Sequence, residues 1–178
     1  MKMTIGKLLF ELSLFVYPSL GFAQDLKFLG IPIEGKLHTF VNKLKEKGYS
    51  SIPFFIYNRS YNGFKTKNLS GSFWKFPNCY VFPRAIKGSK DVSSVIIRPR
   101  SDYWLKDELI YSLDQKYGRH TEYNSTVNSD EETFIWKVTG GEIILFANTI
   151  PGQVFELLYR NSHESKILKN YNYEDEEL

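Results

Sequence analysis

The stretch TFIWKVTGGEIILFA, residues 133–147, contains two apolar runs separated by a turn sequence. The runs 133–138 and 142–147 are rich in β-branched and aromatic residues, which favour β-strands. Thr139-Gly140-Gly141 lies between them and can adopt the positive φ angles that tight hairpin turns require. The stretch therefore predicts a β-hairpin and indicates antiparallel sheet in this part of the chain.

Two other stretches have the apolar spacing of an amphipathic helix. In GKLHTFVNKLKEKG, residues 35–48, the apolar side chains at positions 37, 40, 41 and 44 form one stripe along a helix. In SDYWLKDELIYSLDQKYG, residues 101–118, leucines recur every four residues from Leu105 onwards. Gly48 and Gly118 are natural ends for these helices.

Strands account for much of the remaining sequence. Apolar runs alternate with turn residues, which predicts short strands joined as antiparallel meanders. The predicted strands cover residues 52–57, 69–76, 79–86, 92–98, 133–138, 142–147 and 154–159.

Helix and strands follow the same order twice, which predicts a single α+β domain over residues 24–160. Two tandem halves, 28–99 and 100–160, each contain a helix followed by a meander of about three strands (α-βββ). Since each helix has one apolar stripe, we expect both to pack on one face of the sheet. Residues 161–178 end in YEDEEL, which predicts an acidic, loosely ordered tail.

The single cysteine, Cys79, lies in FPNCYVFPR, residues 76–84. The pattern predicts that Pro77-Asn78 turns the chain and that Cys79 is the first residue of the returning strand. Pro83 has no N–H to donate to a ladder, so we expect it near an edge or a bulge. Nothing local would stabilise a thiolate, which favours a buried and unreactive thiol.

The first 23 residues have the layout of a secretory signal peptide. Lys2 and Lys7 precede a mostly apolar run, and the small residues Gly21 and Ala23 precede Gln24. We expect cleavage after Ala23 and export to the periplasm or the exterior of a Gram-negative bacterium. The apolar run is too short for a stable membrane span. With one cysteine, stability must come from core packing and not from a disulfide.

The charge of the chain argues against a nucleic-acid partner. Lys and Arg number 23, Asp and Glu number 20, and the formal net charge is +3. A nucleic-acid-binding face requires a concentrated basic patch. The lysines at positions 43, 45 and 47 are better explained as the solvated face of the first helix.

The opening FLGIPIEGKLHTFVNKLKEKGY, residues 28–49, has an F-x-G-I-P-x-x-G start and then a helix with F-x-x-x-L-x-x-x-G. Together with L-x-G-x-F (69–73) and G-G-E-I-I-L (140–145), it resembles small exported proteins of unknown function from the Bacteroides-type lineage. The helix-plus-meander halves more remotely resemble β-lactamase-inhibitory proteins and the small lipoprotein of the outer-membrane barrel assembly machine. These resemblances imply a fold alone. The chain lacks the disulfides of the inhibitors and the lipidated cysteine of the lipoprotein, so no functional residue is carried over.

The sequence has no recognisable catalytic or metal-binding motif. Cys79 has His38, His120 and His163 as conceivable partners, but no spacing links any of them to it. His120-Thr121-Glu122 resembles the start of a zinc-deaminase signature without its cysteine pair. A pair of glycosidase carboxylates stays open, because such pairs are defined in space. We expect a protein that is not an enzyme and that uses no cofactor and no metal.

Aromatic residues are therefore the candidate binding residues. Tyr and Trp are favoured anchors of protein interfaces, and they also stack on sugar rings. The hypothesis is a non-enzymatic binding protein of the cell envelope that recognises a protein or peptide partner. The alternative is a glycan or another small ligand bound by aromatic residues of the loop around residues 57–64. The candidate residues are Tyr57, Tyr61, Phe64, Trp74, Tyr103 and Trp104.

Overall fold

Three helices and eleven strands make up the part of the chain that the computed structural model describes, residues 25–53, 63–100, 105–125, 131–148 and 156–174. The helices are α1 (Leu37–Glu46), α2 (Lys106–Tyr117) and α3 (Ser162–Glu174). The strands are β1 (Lys27–Phe28), β2 (Ile31–Pro32), β3 (Ser50–Ser51), β4 (Phe64–Thr66), β5 (Leu69–Phe73), β6 (Phe76–Ile86), β7 (Ser94–Pro99), β8 (Glu122–Ser125), β9 (Glu131–Val138), β10 (Gly141–Asn148) and β11 (Glu156–Asn161).

Nine of these strands form one antiparallel sheet. Its order is β3-β5-β6-β7-β11-β10-β9-β8, and β4 pairs with the far end of β6. The short strands β1 and β2 form a separate hairpin. β7 and β11 lie side by side, with Ile97 opposite Leu157. The predicted α+β class with an antiparallel sheet is confirmed, whereas the tandem repeat stays a prediction.

Both predicted helices exist and pack on the same face of the sheet. The buried side chains of α1 are those that its apolar spacing predicts, Leu37, Phe40, Val41 and Leu44. α2 lies within the predicted range 101–118, whose first four residues are outside the described part, and buries Leu109 and Leu113. These side chains join one core cluster with alternate residues of the central strands, including Val81, Ile97, Leu145 and Leu157. Helices of this length are marginal alone, so this packing stabilises them.

The opposite face of the sheet has a second apolar cluster and carries the third helix. The cluster residues lie across from one another on β6, β7, β11 and β10 and are buried, namely Phe82, Ile96, Leu158 and Ile144. Arg84 is on this face because it follows Phe82 by two residues in β6. Its partner Glu164 on α3 is fully buried. The two predicted helices therefore share one face, and α3, a helix that the sequence did not predict, lies on the other.

Helix α3 occupies much of the segment for which the sequence predicts a loose tail. Its first turn is capped by Asn161, whose Oδ1 accepts a hydrogen bond from the Glu164 N–H at 3.0 Å. Ser165 Oγ donates to Glu142 Oε1 at 2.6 Å, which joins the helix to β10. These contacts attach the first turn of α3 to the sheet. Residues 175–178 lie outside the described part.

The hairpin predicted at residues 139–141 is confirmed. Val138 and Gly141 are directly paired, so Thr139 and Gly140 form a two-residue loop. Gly140 has φ +85°, a conformation that favours glycine. Gly141 also permits close strand contact, since a Cβ there would overlap the carbonyl oxygen of Arg160.

The turn predicted at Pro77-Asn78 is wrong. Phe73 ends β5, Phe76 begins β6, and the two are paired, so residues 74 and 75 make the turn. This register buries both phenylalanines, at 8% and 1% exposure. Cys79 is consequently the fourth residue of β6 and not its first. The register shift between Gly71 and Phe73 absorbs the irregularity on the β5 side.

Pro83 lies in an interior strand and not at an edge, which was one of the two positions expected for it, the other being a bulge. β6 has β7 on one side and both β4 and β5 on the other. Lys67 and Asn68, between β4 and β5, belong to no strand. The Lys67 N–H donates to the Pro83 carbonyl at 3.0 Å. Pro83 has no N–H to donate to a ladder, and it is tolerated in β6 because it lies opposite this gap between β4 and β5.

Candidate binding surfaces

Trp74 lies at the β5–β6 turn in a left-handed backbone conformation. Its φ is +51°, which is unusual for a large side chain. The side chain is 37% exposed, and its ring lies 5.5 Å from that of Phe76, centroid to centroid. Lys75 Nζ lies 5.2 Å from the indole centroid, within cation–π range. These contacts orient the indole at the surface.

An ion pair joins this turn to α2. Lys75 Nζ donates to Glu108 Oε2, and both side chains are exposed. Tyr111 follows Glu108 by three residues and therefore lies on the same side of α2; it is 66% exposed. We call Trp74, Lys75, Glu108 and Tyr111 the aromatic turn surface. Trp74 and Tyr111 are the exposed large hydrophobic side chains among the described residues.

A cavity of about 430 Å³ lies between α3 and the end of the sheet where β4 pairs with β6. We call it the α3 cavity. Its volume falls within the range of roughly 300–1,000 Å³ that is common for small-molecule sites. Its lining residues are Gly63, Phe64, Ile86, Lys87, Glu164, Ile167 and Leu168.

One lining residue of the α3 cavity, Glu164, belongs to a buried ion pair. Arg84 Nη2 donates to Glu164 Oε1 at 2.9 Å, and the two side chains are 4% and 0% exposed. Ser93 Oγ donates to Glu164 Oε2 at 2.6 Å, and Arg84 Nε donates to Ser94 Oγ at 2.9 Å. The Arg84 guanidinium carbon also lies 4.4 Å from the Phe64 ring centroid. The two charges compensate each other, and both carboxylate oxygens accept a hydrogen bond.

The structure does not bring the predicted residues Phe64 and Trp74 together. Phe64 pairs with Ile86 at one end of β6, while Trp74 precedes Phe76 at the other. A strand rises about 3.3 Å per residue, so the two ends are roughly 30 Å apart. The other predicted residues lie outside the described part of the chain, namely Tyr57, Tyr61, Tyr103 and Trp104.

Cys79 belongs to the core. Its side chain is fully buried, and Sγ lies 3.9 Å from the Phe76 carbonyl oxygen, to which the thiol can donate. Burial raises the pKa of Cys79 to about 12. Tyr49 is buried as well, and desolvation, followed by the nearby Cys79 charge, raises its pKa to about 12. A thiol that is protonated at neutral pH and shielded from solvent is a poor nucleophile.

Asp114 and His120 form a carboxylate–imidazole pair at the end of α2. Asp114 Oδ1 accepts from Trp136 Nε1 at 2.8 Å and from the His120 N–H at 3.0 Å. The same oxygen lies 3.3 Å from His120 Nδ1, and the imidazole packs edge-on against Trp136 and Phe134. One oxygen therefore organises the chain after α2, which is a structural role.

Few residues of the aromatic turn surface or of the α3 cavity could be identified from the sequence. Arg84 and Glu164 are 80 residues apart, and no local pattern connects them. The i, i+3, i+4 spacing of Glu164, Ile167 and Leu168 is a helical signal that was available in the sequence. It was obscured by the acidic residues that follow it.

Within the described ranges, no group of three or more His, Cys, Asp or Glu side chains is placed to hold a metal ion. No helix in those ranges has both the length and the apolar character needed to cross a bilayer. Comparison with models of protein families, with curated proteins and with solved structures finds no match.

Proposed function

We propose that this chain is an exported, non-enzymatic binding protein of the cell envelope that recognises a protein or peptide partner. The signal-peptide layout of residues 1–23 supports export. The aromatic turn surface supports a macromolecular partner, because it combines two exposed aromatic rings with a polar, ion-paired margin. The observation that carries the proposal is the exposed Trp74 at positive φ.

Keeping a tryptophan at this turn lowers the stability of the free protein. The left-handed conformation suits Gly or Asn better than a large side chain, and a partly exposed indole gains only part of its burial energy. A binding role accounts for both costs, since tryptophan is enriched among the residues that dominate interface affinity. Its contacts with Lys75 and Phe76 restrict the indole beforehand, which reduces the entropy lost on association.

The test is retention of proteins from native envelope extract on the immobilised mature chain. Trp74→Asn removes the indole and suits the positive φ, so the turn is retained. We expect a protein held by the wild type to be retained at least about tenfold less by Trp74→Asn, with a smaller loss for Tyr111→Ala. Lys45→Ala, an exposed change on α1, is the matched control. Equal retention by all four chains would refute the proposal.

We also propose that residues 28–99 and 100–160 are two copies of one helix-plus-meander unit. In each half a helix is followed by antiparallel strands, although the β1–β2 hairpin precedes α1 in the first half, and the last strands, β7 and β11, lie side by side. Superposition of the two halves in an experimental structure tests this. Corresponding strands in the same order would support the repeat, and different strand orders would contradict it.

Binding of a glycan or another small ligand is the second candidate function. The α3 cavity favours the small-ligand form of this function, because Phe64 is in its lining and its volume suits a small molecule. A panel of glycans and small metabolites, screened against the wild type and Phe64→Ala, tests this function. We expect a ligand whose affinity falls with the substitution while the urea midpoint shows that the fold persists. A panel without any Phe64-dependent ligand counts against it.

A further inference from the structure

The α3 cavity has an apolar lining and one charge that no described residue compensates. Its apolar side chains are Phe64, Ile86, Ile167 and Leu168. We propose that the cavity binds an anionic amphiphile of the fatty-acid class, with the carboxylate at Lys87 and the chain along the apolar side chains. This proposal rests on the second candidate function and is independent of the aromatic turn surface.

The buried carboxylate of the cavity is not available to a ligand. Glu164 Oε1 is engaged by Arg84, and Oε2 accepts a hydrogen bond from Ser93. A sugar requires several hydrogen-bond partners, and a cationic ligand requires an uncompensated carboxylate. Glu164 provides neither, so the described part of the lining disfavours both classes and favours an apolar ligand body.

Lys87 supplies the selectivity for a negative charge. Its backbone N–H donates to the Gly63 carbonyl at 2.5 Å, which fixes the residue beside the cavity. Its side chain is exposed, and no ion pair joins its ammonium to an acid within the described ranges. Because Arg84 and Glu164 compensate each other, Lys87 leaves the described residues of the lining with a net positive charge that complements a carboxylate.

The shape of the site fits a chain with one charged end. The ammonium reaches solvent, whereas Glu164 is fully buried and Ile167 and Leu168 are only partly exposed. A fatty acid can therefore keep its carboxylate near water while its chain enters the cavity, as amphipathic groups do at apolar boundaries. Affinity should rise with chain length until the cavity of about 430 Å³ is filled.

The experiment is titration calorimetry of the mature chain with dodecanoate, dodecanol and dodecyltrimethylammonium, each below its aggregation concentration. We expect dodecanoate to bind most tightly and the cation most weakly. Lys87→Gln should weaken dodecanoate binding roughly two- to fivefold, as for a solvent-exposed ion pair, and leave dodecanol unchanged. Lys90→Gln is the matched control, since it removes an exposed lysine three residues away that does not line the cavity.

Ile167→Trp provides a second variant because it fills the cavity without removing a charge. We expect it to weaken all three ligands while the chain keeps its cooperative unfolding transition. If dodecanol binds as well as dodecanoate and Lys87→Gln has no effect, the anionic class is wrong although a small-ligand function survives. If a glycan binds with Phe64-dependent affinity instead, the fatty-acid class is likewise overturned. If the three ligands bind but Ile167→Trp weakens none of them, they do not occupy the cavity and the fatty-acid proposal is refuted. If neither these ligands nor the glycan and metabolite panel binds, the small-ligand function is refuted as well.

Discussion

Replacement of Glu164 by glutamine should destabilise the protein far more than its position near the chain end suggests. The substitution keeps the size of the side chain but leaves the Arg84 guanidinium buried without its carboxylate, at 4% exposure. Loss of one member of a buried pair costs about 3–5 kcal/mol, a large share of the 5–15 kcal/mol typical of a folded domain. With a urea dependence of about 2 kcal/mol per molar, a loss of 3 kcal/mol lowers the unfolding midpoint by roughly 1.5 M.

Urea unfolding followed by circular dichroism measures this change, and the exposed pair Lys75–Glu108 supplies the control. Both of its side chains are more than half exposed, so Glu108→Gln should cost less than about 1 kcal/mol. A double variant, Arg84→Met with Glu164→Leu, should lose much less than the sum of the two single changes, because it leaves no isolated charge.

The reasoning about the buried pair is refuted by either of two results. One is a midpoint for Glu164→Gln that matches that of Glu108→Gln. The other is strict additivity of the Arg84 and Glu164 substitutions in the double variant. Either result would mean that α3 does not hold this carboxylate against the sheet as the geometry indicates.

Three further predictions concern the core and the turns. Burial raises the pKa of Cys79 to about 12 from an ordinary value near 9. The thiol of the unfolded chain therefore loses its proton first as pH rises, and the free energy of unfolding should fall between about pH 9 and 12. The fall is on the order of 1 kcal/mol per pH unit; Cys79→Ala should make this dependence shallower, and an unchanged slope in urea titrations would contradict it. Asp114→Ala leaves the Trp136 indole N–H without its acceptor and should cost about 1–3 kcal/mol, whereas Asp114→Asn keeps an oxygen and should cost clearly less; equal thermal midpoints for the two variants would contradict this role. Gly141→Ala forces a Cβ onto a neighbouring carbonyl oxygen and should cost about 3 kcal/mol, so an unaltered thermal midpoint would show that the β10–β11 spacing is looser than described.

The local sequence pattern was sufficient to predict structure where a helix or a hairpin depends only on its own residues. The spacing of α1 predicted each of its buried side chains, because a helix with a single apolar stripe has only one face to bury. The Thr139–Gly140 loop was predictable for a similar reason, since few residues accept positive φ in a two-residue hairpin.

The local sequence pattern failed where the pairing of strands decided which residues form the turn and which are buried. Pro77-Asn78 is a common turn pair, yet pairing of Phe73 with Phe76 buries both rings and moves the turn to Trp74. Of the two described binding candidates, Trp74 belongs to the aromatic turn surface and Phe64 to the α3 cavity. Their separation along β6 could not be foreseen, because it depends on which strands pair.

The α+β class, the apolar faces of α1 and α2, and the hairpin at residues 139–141 are predictable from sequence alone, because helix and strand periodicities act over a few residues. Tertiary structure decided the place of α3 and the existence of the cavity beneath it. Those features depend on Arg84 and Glu164, which are 80 residues apart. Their interaction becomes strong only when the folded sheet removes both charges from water.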